Sequence, residues 1–307
     1  MTRIALIFPG QGTQTVGMAR ELYETFNVAR GIIDKADELT ANGLKDVMFN
    51  GPQEKLTETA YSQPAIFSHS MAALEVLKAS DKYKDLEPVA CAGLSLGEYA
   101  ALCASGALGF DETLALLRKR AEYMGEATRL HKGRMAAIIG LDKEKLNEIC
   151  QQTGAEVANY NSLQQTVITG HAQRVEEAAQ KCGAAGARNV VMLDVAGAFH
   201  STLMQTAADK CRSVLEDITL GTPTIPLVSN VDAAATTDPQ KIKENLAKQI
   251  TSSVQWVNTI QHIASNGITD FIEIGPGKVL RGLLRKIDPG LNVHNIGKPA
   301  DMEKLAL

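Results

Sequence analysis

Short apolar runs alternate with amphipathic stretches along much of the chain. RIALIFPGQG reads as a buried strand entering a glycine turn, and GMARELYETF as the helix after it. PVACAGLSLGEYAALCA repeats that order of apolar run, glycine corner and helix, and ITDFIEIGPGKVLRGLLRKI repeats it near the C-terminus. Such alternation predicts a parallel sheet flanked by helices. Between about Gly133 and Val195 the rhythm changes. RMAAIIGL predicts a strand, DKEKLNEICQQ a helix with Asp142 near its start, and AEVANYN and QTVITG two strands. AQRVEEAAQKCGAAG then predicts a helix and ARNVVMLDV a strand. The order β-α-β-β-α-β within about 60 residues is the split βαβ, ferredoxin-like signature. The expected architecture is α/β: a large domain over 1–132 and 196–307, with a ferredoxin-like subdomain inserted over 133–195.

Composition adds boundaries rather than chemistry. The 307 residues are 45% hydrophobic and 21% charged, enough for a sizeable core. A formal net charge of −4 gives no reason to expect nucleic acid or an anionic membrane surface as partner. No apolar run approaches the roughly 20 residues of a membrane span. The apolar run after MTR lacks the small-residue cleavage site of a secretory signal. A cytoplasmic location is expected, with a plastid-type compartment after removal of a transit peptide as the alternative. Five cysteines, at 91, 103, 150, 182 and 211, are scattered without metal spacing and suit reduced thiols.

Candidate chemistry begins at GLSLG, which fits G-x-S-x-G with Gly93, Ser95 and Gly97. A strand turning sharply into a helix exposes the side chain between them, and the glycines leave room for strand and helix to approach. The helix start then offers the Leu96 N–H to a developing oxyanion. The plainer alternative is a serine that only caps the helix. Of the six histidines, His69 falls in an apparent helix, and His171 and His262 in polar helical segments. His131 falls in a charged loop and His294 in a terminal strand. His200 follows the small-residue stretch VAGAF where the inserted unit ends, and it is the favoured base for Ser95.

FPGQGTQTVG resembles a phosphate loop but fails both nucleotide patterns. Thr15 stands where the dinucleotide fingerprint needs glycine, and Met18 where the Walker motif needs lysine. What remains is a turn that can present the Gln11 N–H to the same crevice as Ser95. DETLALLRKRAEYMGEA predicts a helix with Asp111 as its cap. Arg120 has Leu116, Leu117, Tyr123 and Met124 three or four positions away, so it is the basic residue expected to point inward. A buried guanidinium needs an anion, either an internal carboxylate or one on a substrate.

FPGQGTQTVGM, GLSLGEYAAL, RMAAIIGL, GAFHSTLM, VSNVDA, SSVQW and EIGPGKVL occur in an order and spacing that resemble the malonyl-CoA:acyl carrier protein transacylases. These are the acyltransferases of fatty-acid synthesis, related to those of polyketide pathways. The resemblance spans nearly the whole chain. It implies an α/β-hydrolase-like core carrying the insert, with the site between them. Ser95 would be the acyl nucleophile, His200 its base, and the N–H groups of Gln11 and Leu96 the oxyanion hole. Arg120 would hold the malonyl carboxylate, and Phe199 matches the pattern tied to malonyl rather than methylmalonyl units. Gln249 would orient the histidine through its main chain, in place of a triad aspartate; Asp194 precedes His200 without motif support. Leu94 departs from the histidine that many members carry there.

The implied partners are malonyl-CoA and an acidic acyl carrier protein, with no metal or redox cofactor and a monomer as the simplest assembly. Lys278, Arg281, Arg285 and Lys286, on or beside the helix after EIGPG, form either a docking patch for that carrier or a solvated face. A polyketide-pathway acyltransferase is the neighbouring alternative. A serine esterase or thioesterase would share Ser95 and His200 without needing Arg120, and a non-catalytic carrier-binding module would need neither.

Overall fold

A computed structural model describes residues 1–195 and 197–305. Its strands are β1 (Thr2–Phe8), β2 (Leu86–Gly93), β3 (Gly133–Ile139), β4 (Glu156–Ser162), β5 (Gln165–His171), β6 (Asn189–Met192), β7 (Leu227–Val228), β8 (Ala235–Thr236), β9 (Asp270–Ile274) and β10 (Asn292–Ile296). Six form the main sheet in the order β10-β9-β1-β2-β7-β8, parallel except for β8, which pairs antiparallel with β7.

IALIF in β1 is buried on both faces, the reason it reads as a continuous apolar run. Strand alternation divides it. Ile4, Leu6 and Phe8 join the core under helices that include Thr59–Lys78, Gly97–Ala104 and the first half of Phe110–Leu130. Ala5 and Ile7 join the opposite core, with Trp256, Ile260, Leu280 and Leu284 from helices Trp256–Ser265 and Val279–Ile287. Because β1 lies between β2 and β9, the chain winds outward both ways from the β1 end. That is where an open α/β sheet makes its crevice.

The second sheet is antiparallel, ordered β4-β5-β3-β6. Ala136 and Ile138 face helices Lys143–Thr153 and Ala172–Ala184. Met135 and Ala137 face the other way, into a core shared with Met124, Phe199, Met204 and Ala207 of the main body. Val254 hydrogen bonds both Ala158 and Tyr160 and ties the sheet's β4 edge to that body. The chain enters and leaves at one neck, where Gly133 abuts Ala198. The expected boundary at 196 falls on a residue outside those described.

Local differences from the sequence reading have simple causes. The first helix begins only at Arg20, since Gly17 and Ala19 both take positive φ and cannot continue a helical turn. The Phe110–Leu130 helix is capped at Gly109, so Asp111 is not the cap; it lies in the first turn and pairs with Lys35 at 2.6 Å. His171 ends β5 rather than lying within a helix. ARNVVMLDV supplies only four strand residues, because β6 is an edge with β3 as its one partner.

Candidate active site

Ser95 sits on the corner between β2 and the helix Gly97–Ala104, with φ of 54°. The motif glycines are needed by the backbone itself. A Cβ on Gly93 would lie 1.9 Å from Gly97 C, and one on Gly97 2.1 Å from Phe8 O. Side-chain amides hold the left-handed serine from both sides. Its N–H donates to Asn230 Oδ1 (2.7 Å), and its C=O accepts from Gln249 Nε2 (2.9 Å). Asn230 Nδ2 also donates to Gly93 O at 2.7 Å, closing the clamp around the corner.

Ser95 Oγ lies 2.7 Å from His200 Nε2. His200 Nδ1 lies 2.9 Å from Gln249 O. A carbonyl only accepts, so the proton is on Nδ1 and the lone pair of Nε2 faces the serine. His200 is 4% exposed, and burial, then the Arg120 guanidinium, pulls its pKa down to about 4. It is therefore a free base at neutral pH. Asp194 is exposed, and the acceptor facing His200 Nδ1 is the Gln249 carbonyl instead.

Arg120 is completely buried, on the helix face shared with Leu116, Leu117 and Met124. Nη1 donates to Gln63 Oε1 (2.8 Å), and Nη2 to Gln249 Oε1 (3.1 Å) and Ser95 Oγ (3.2 Å). Its Cζ lies 5.2 Å over the Tyr99 ring. Its hydrogen-bond acceptors among the described residues are thus two amide oxygens and a hydroxyl, none of them a carboxylate. The charge is held beside the nucleophile on neutral acceptors alone.

Gln11 follows β1, in the loop that Leu94 N–H anchors by donating to Phe8 O at 3.0 Å. Its side chain donates to Ser62 Oγ (2.9 Å). Neither the Gln11 nor the Leu96 N–H has an acceptor among the described residues, and Leu96 stands at the positive end of its helix. Phe199 is 7% exposed and packs with Met124 and Met204 beside His200, forming an apolar wall. Leu94 is half-buried against the opposite core.

Four polar residues at this site escaped the sequence reading: Ser62, Gln63, Glu98 and Asn230. Each leaves a faint signal. Ser62 and Gln63 are polar positions in a helix buried nearly all round, Glu98 is the single charge in PVACAGLSLGEYAALCA, and Asn230 lies in VSNVDA. Glu98 is completely buried, and burial pushes its pKa up to about 7 despite its bonds to Gln249 and Asn230.

The basic cluster lies elsewhere. Lys278, Arg281 and Arg285 line a cleft of about 530 Å³ with His294 and Lys304, and Ser95 and His200 are not among its walls. Arg281 also donates to Asn295 Oδ1 at 3.4 Å. Lys286 is exposed and outside the cleft lining. A groove of about 1170 Å³ runs along the Phe110–Leu130 helix and likewise lacks the serine and histidine.

Comparisons with known proteins place the chain as a whole. The model of the acyl transferase domain matches residues 5–293. The malonyl CoA-acyl carrier protein transacylase of Bacillus subtilis is 41% identical, with 99% of this chain and 96% of that protein aligned. The crystal structure of the acyl-carrier-protein S-malonyltransferase from Bartonella henselae superposes with a TM-score of 0.94 at 38% identity, covering 99% and 98% of the two chains. A malonyl-transacylase solved in complex with its type II PKS acyl-carrier protein gives the same TM-score at 35% identity, covering 99% and 98%. With a serine corner, a histidine base and a buried guanidinium aimed at one oxygen, the chain belongs to the acyl transferase family, among the malonyl CoA-acyl carrier protein transacylases.

Proposed function

We propose that this chain moves a malonyl group from coenzyme A to the pantetheine thiol of an acyl carrier protein, through an ester on Ser95, and so supplies extender units for fatty-acid synthesis. The observation that carries the proposal is the sharing of Ser95 Oγ between His200 Nε2 and Arg120 Nη2. A base alone would suit a hydrolase. A buried cation beside the nucleophile, bonded only to neutral acceptors, suits an acyl group that ends in a carboxylate.

The reaction is ping-pong. As Oγ attacks the thioester carbon, its proton passes to His200 Nε2. The carbonyl oxygen becomes an oxyanion against the N–H groups of Gln11 and Leu96. The tetrahedral centre collapses, the C–S bond breaks, and the coenzyme A sulfur takes the proton back from His200. The carrier's thiol then gives its proton to His200, attacks the ester and displaces Ser95 Oγ, which is reprotonated. The malonyl carboxylate takes a bidentate place on Arg120 through the second Nη1 N–H and the Nη2 N–H now on the Ser95 hydroxyl, while the two glutamine oxygens keep their bonds. Phe199 walls the side on which a branched acyl group would need room. Every proton and charge moves between substrate and these residues, so the proposal includes no cofactor.

The acidic carrier is assigned to the patch of Lys278, Arg281, Arg285 and Lys286; the basic cleft that three of them line supports this. No described helix is long and apolar enough to cross a membrane, and a cytoplasmic setting is part of the same proposal. Intact-protein mass after mixing with malonyl-CoA tests the scheme. A malonyl adduct that persists until carrier is added, and that Ser95→Ala lacks, is expected. Rapid loss of the adduct to water would instead indicate a hydrolase, and no adduct a binding module.

A further inference from the structure

Glu98 is the one charged side chain in the helix behind the nucleophile, and it is completely buried. Oε2 accepts from Gln249 Nε2 at 2.5 Å and from the Asn230 N–H at 3.3 Å; Oε1 has no partner among the described residues. The two residues it touches are those that clamp Ser95. Gln249 can in principle sit either way round, because its amide oxygen and nitrogen are nearly the same shape. Its Nε2 faces two groups that only accept, the Ser95 carbonyl and the Glu98 carboxylate. The end left over, Oε1, must therefore face Arg120, where it accepts from Nη2 at 3.1 Å. Turned round, the amide would set an N–H against a guanidinium N–H, and Arg120 would lose one of its two amide anchors.

We infer that Glu98 is a positioning residue for acyl recognition: by accepting from Gln249 it fixes which end of that amide meets Arg120, and thereby where the guanidinium stands for the substrate carboxylate. The inference rests on the malonyl reading above. The carboxylate does this better than a neutral group could. A charged acceptor makes the stronger bond and can never act as a donor when ionised. Glutamine of the same size accepts or donates with equal ease and removes that constraint. The His200 contact uses the Gln249 main chain, so base orientation does not pass through Glu98.

The test compares kcat/KM for malonyl-CoA and acetyl-CoA in wild type, Glu98→Gln, Gln249→Leu and the double variant. It is run at pH 8, where a group with a pKa of about 7 is mostly ionised. Sulfonylation of Ser95 by phenylmethylsulfonyl fluoride and the melting temperature are recorded alongside. Glu98→Gln should lower the malonyl-to-acetyl ratio by about tenfold, chiefly through the malonyl KM, with sulfonylation kept within about threefold. Gln249→Leu should lower the ratio similarly, and the double variant no further, because both act through one amide. A ratio within twofold of wild type in Glu98→Gln overturns the inference. So does an equal fall for both substrates and for sulfonylation, which marks a purely structural role. If Glu98→Gln does not fold, an unchanged ratio in Gln249→Leu overturns it alone. A wild type without malonyl preference would instead sink the malonyl reading itself.

Discussion

At the scale of single residues, the site is an arrangement of charges kept out of water. Arg120 has exchanged hydration for two glutamine oxygens, a serine hydroxyl and the face of Tyr99. Arg120→Ala should therefore cost malonyl transfer about 2–5 kcal/mol, the range for a broken desolvated charge pair. Acetyl transfer should be spared or improved, and kcat/KM for the two substrates, with the melting temperature, reads the difference. Equal losses would remove Arg120 from selectivity. His200 carries a second expectation. Burial lowers its pKa to about 4, so it loses its proton well below the usual value for histidine. Sulfonylation of Ser95 should rise as pH climbs through about 4 and be flat above about pH 5 to 6. An inflection near 6.5 would mean that the imidazole is hydrated in solution.

Elements turn these residues into a site by bringing loop ends together, and one helix offers a separate test. Arg281 and Arg285 line a cleft, while Glu273 accepts from the N–H groups of Leu280 and Arg281, each at 2.9 Å, and anchors the start of their helix. Reversing both arginines to glutamate should raise the carrier KM several-fold at low salt and leave Ser95 acylation by malonyl-CoA nearly unchanged. Carrier kinetics that ignore the reversal would place the dock elsewhere. These elements were legible wherever burial was two-sided or the period clear. β1, β2 and β9 announce themselves as apolar runs, and the elbow as glycines that backbone contacts require. Ser95 and Arg120 could be singled out because each breaks its local pattern, and His200 by its place where the inserted unit ends together with the family resemblance. Gln63, Glu98 and Asn230 could not. Their roles arise from contacts 57, 151 and 135 positions away along the chain, and no local period records such pairings. Edge effects hid the rest, such as the short β6 and the cap at Gly109.

Across the whole molecule, two histidines make stability depend on acidity. His69 is buried under the main sheet with Nε2 at 2.8 Å from Gly297 O, and burial lowers its pKa to about 4, as for His200. Both are neutral in the fold, while the unfolded chain takes up protons below about 6.5. The stability they contribute is complete above that pH and is lost as pH falls towards 4, each by something like 3 kcal/mol. His69→Gln keeps a donor for Gly297 O and cannot ionise. It should flatten the drop in melting temperature between pH 6.5 and 4.5, and an unchanged drop would show that His69 is not a source of acid lability. The neck at Gly133 and Ala198 has a consequence of another kind. The chain enters and leaves the smaller sheet and its helices at one neck, after the helix that bears Arg120 and before the turn that bears His200. Its inner face nonetheless supplies Met135, Ala137 and Val167 to the packing around Phe199. A chimaera that exchanges this unit at the neck should therefore reshape the wall beside Phe199 while leaving serine, histidine and arginine to the host, and a shift in the malonyl-to-acetyl ratio is the expected readout.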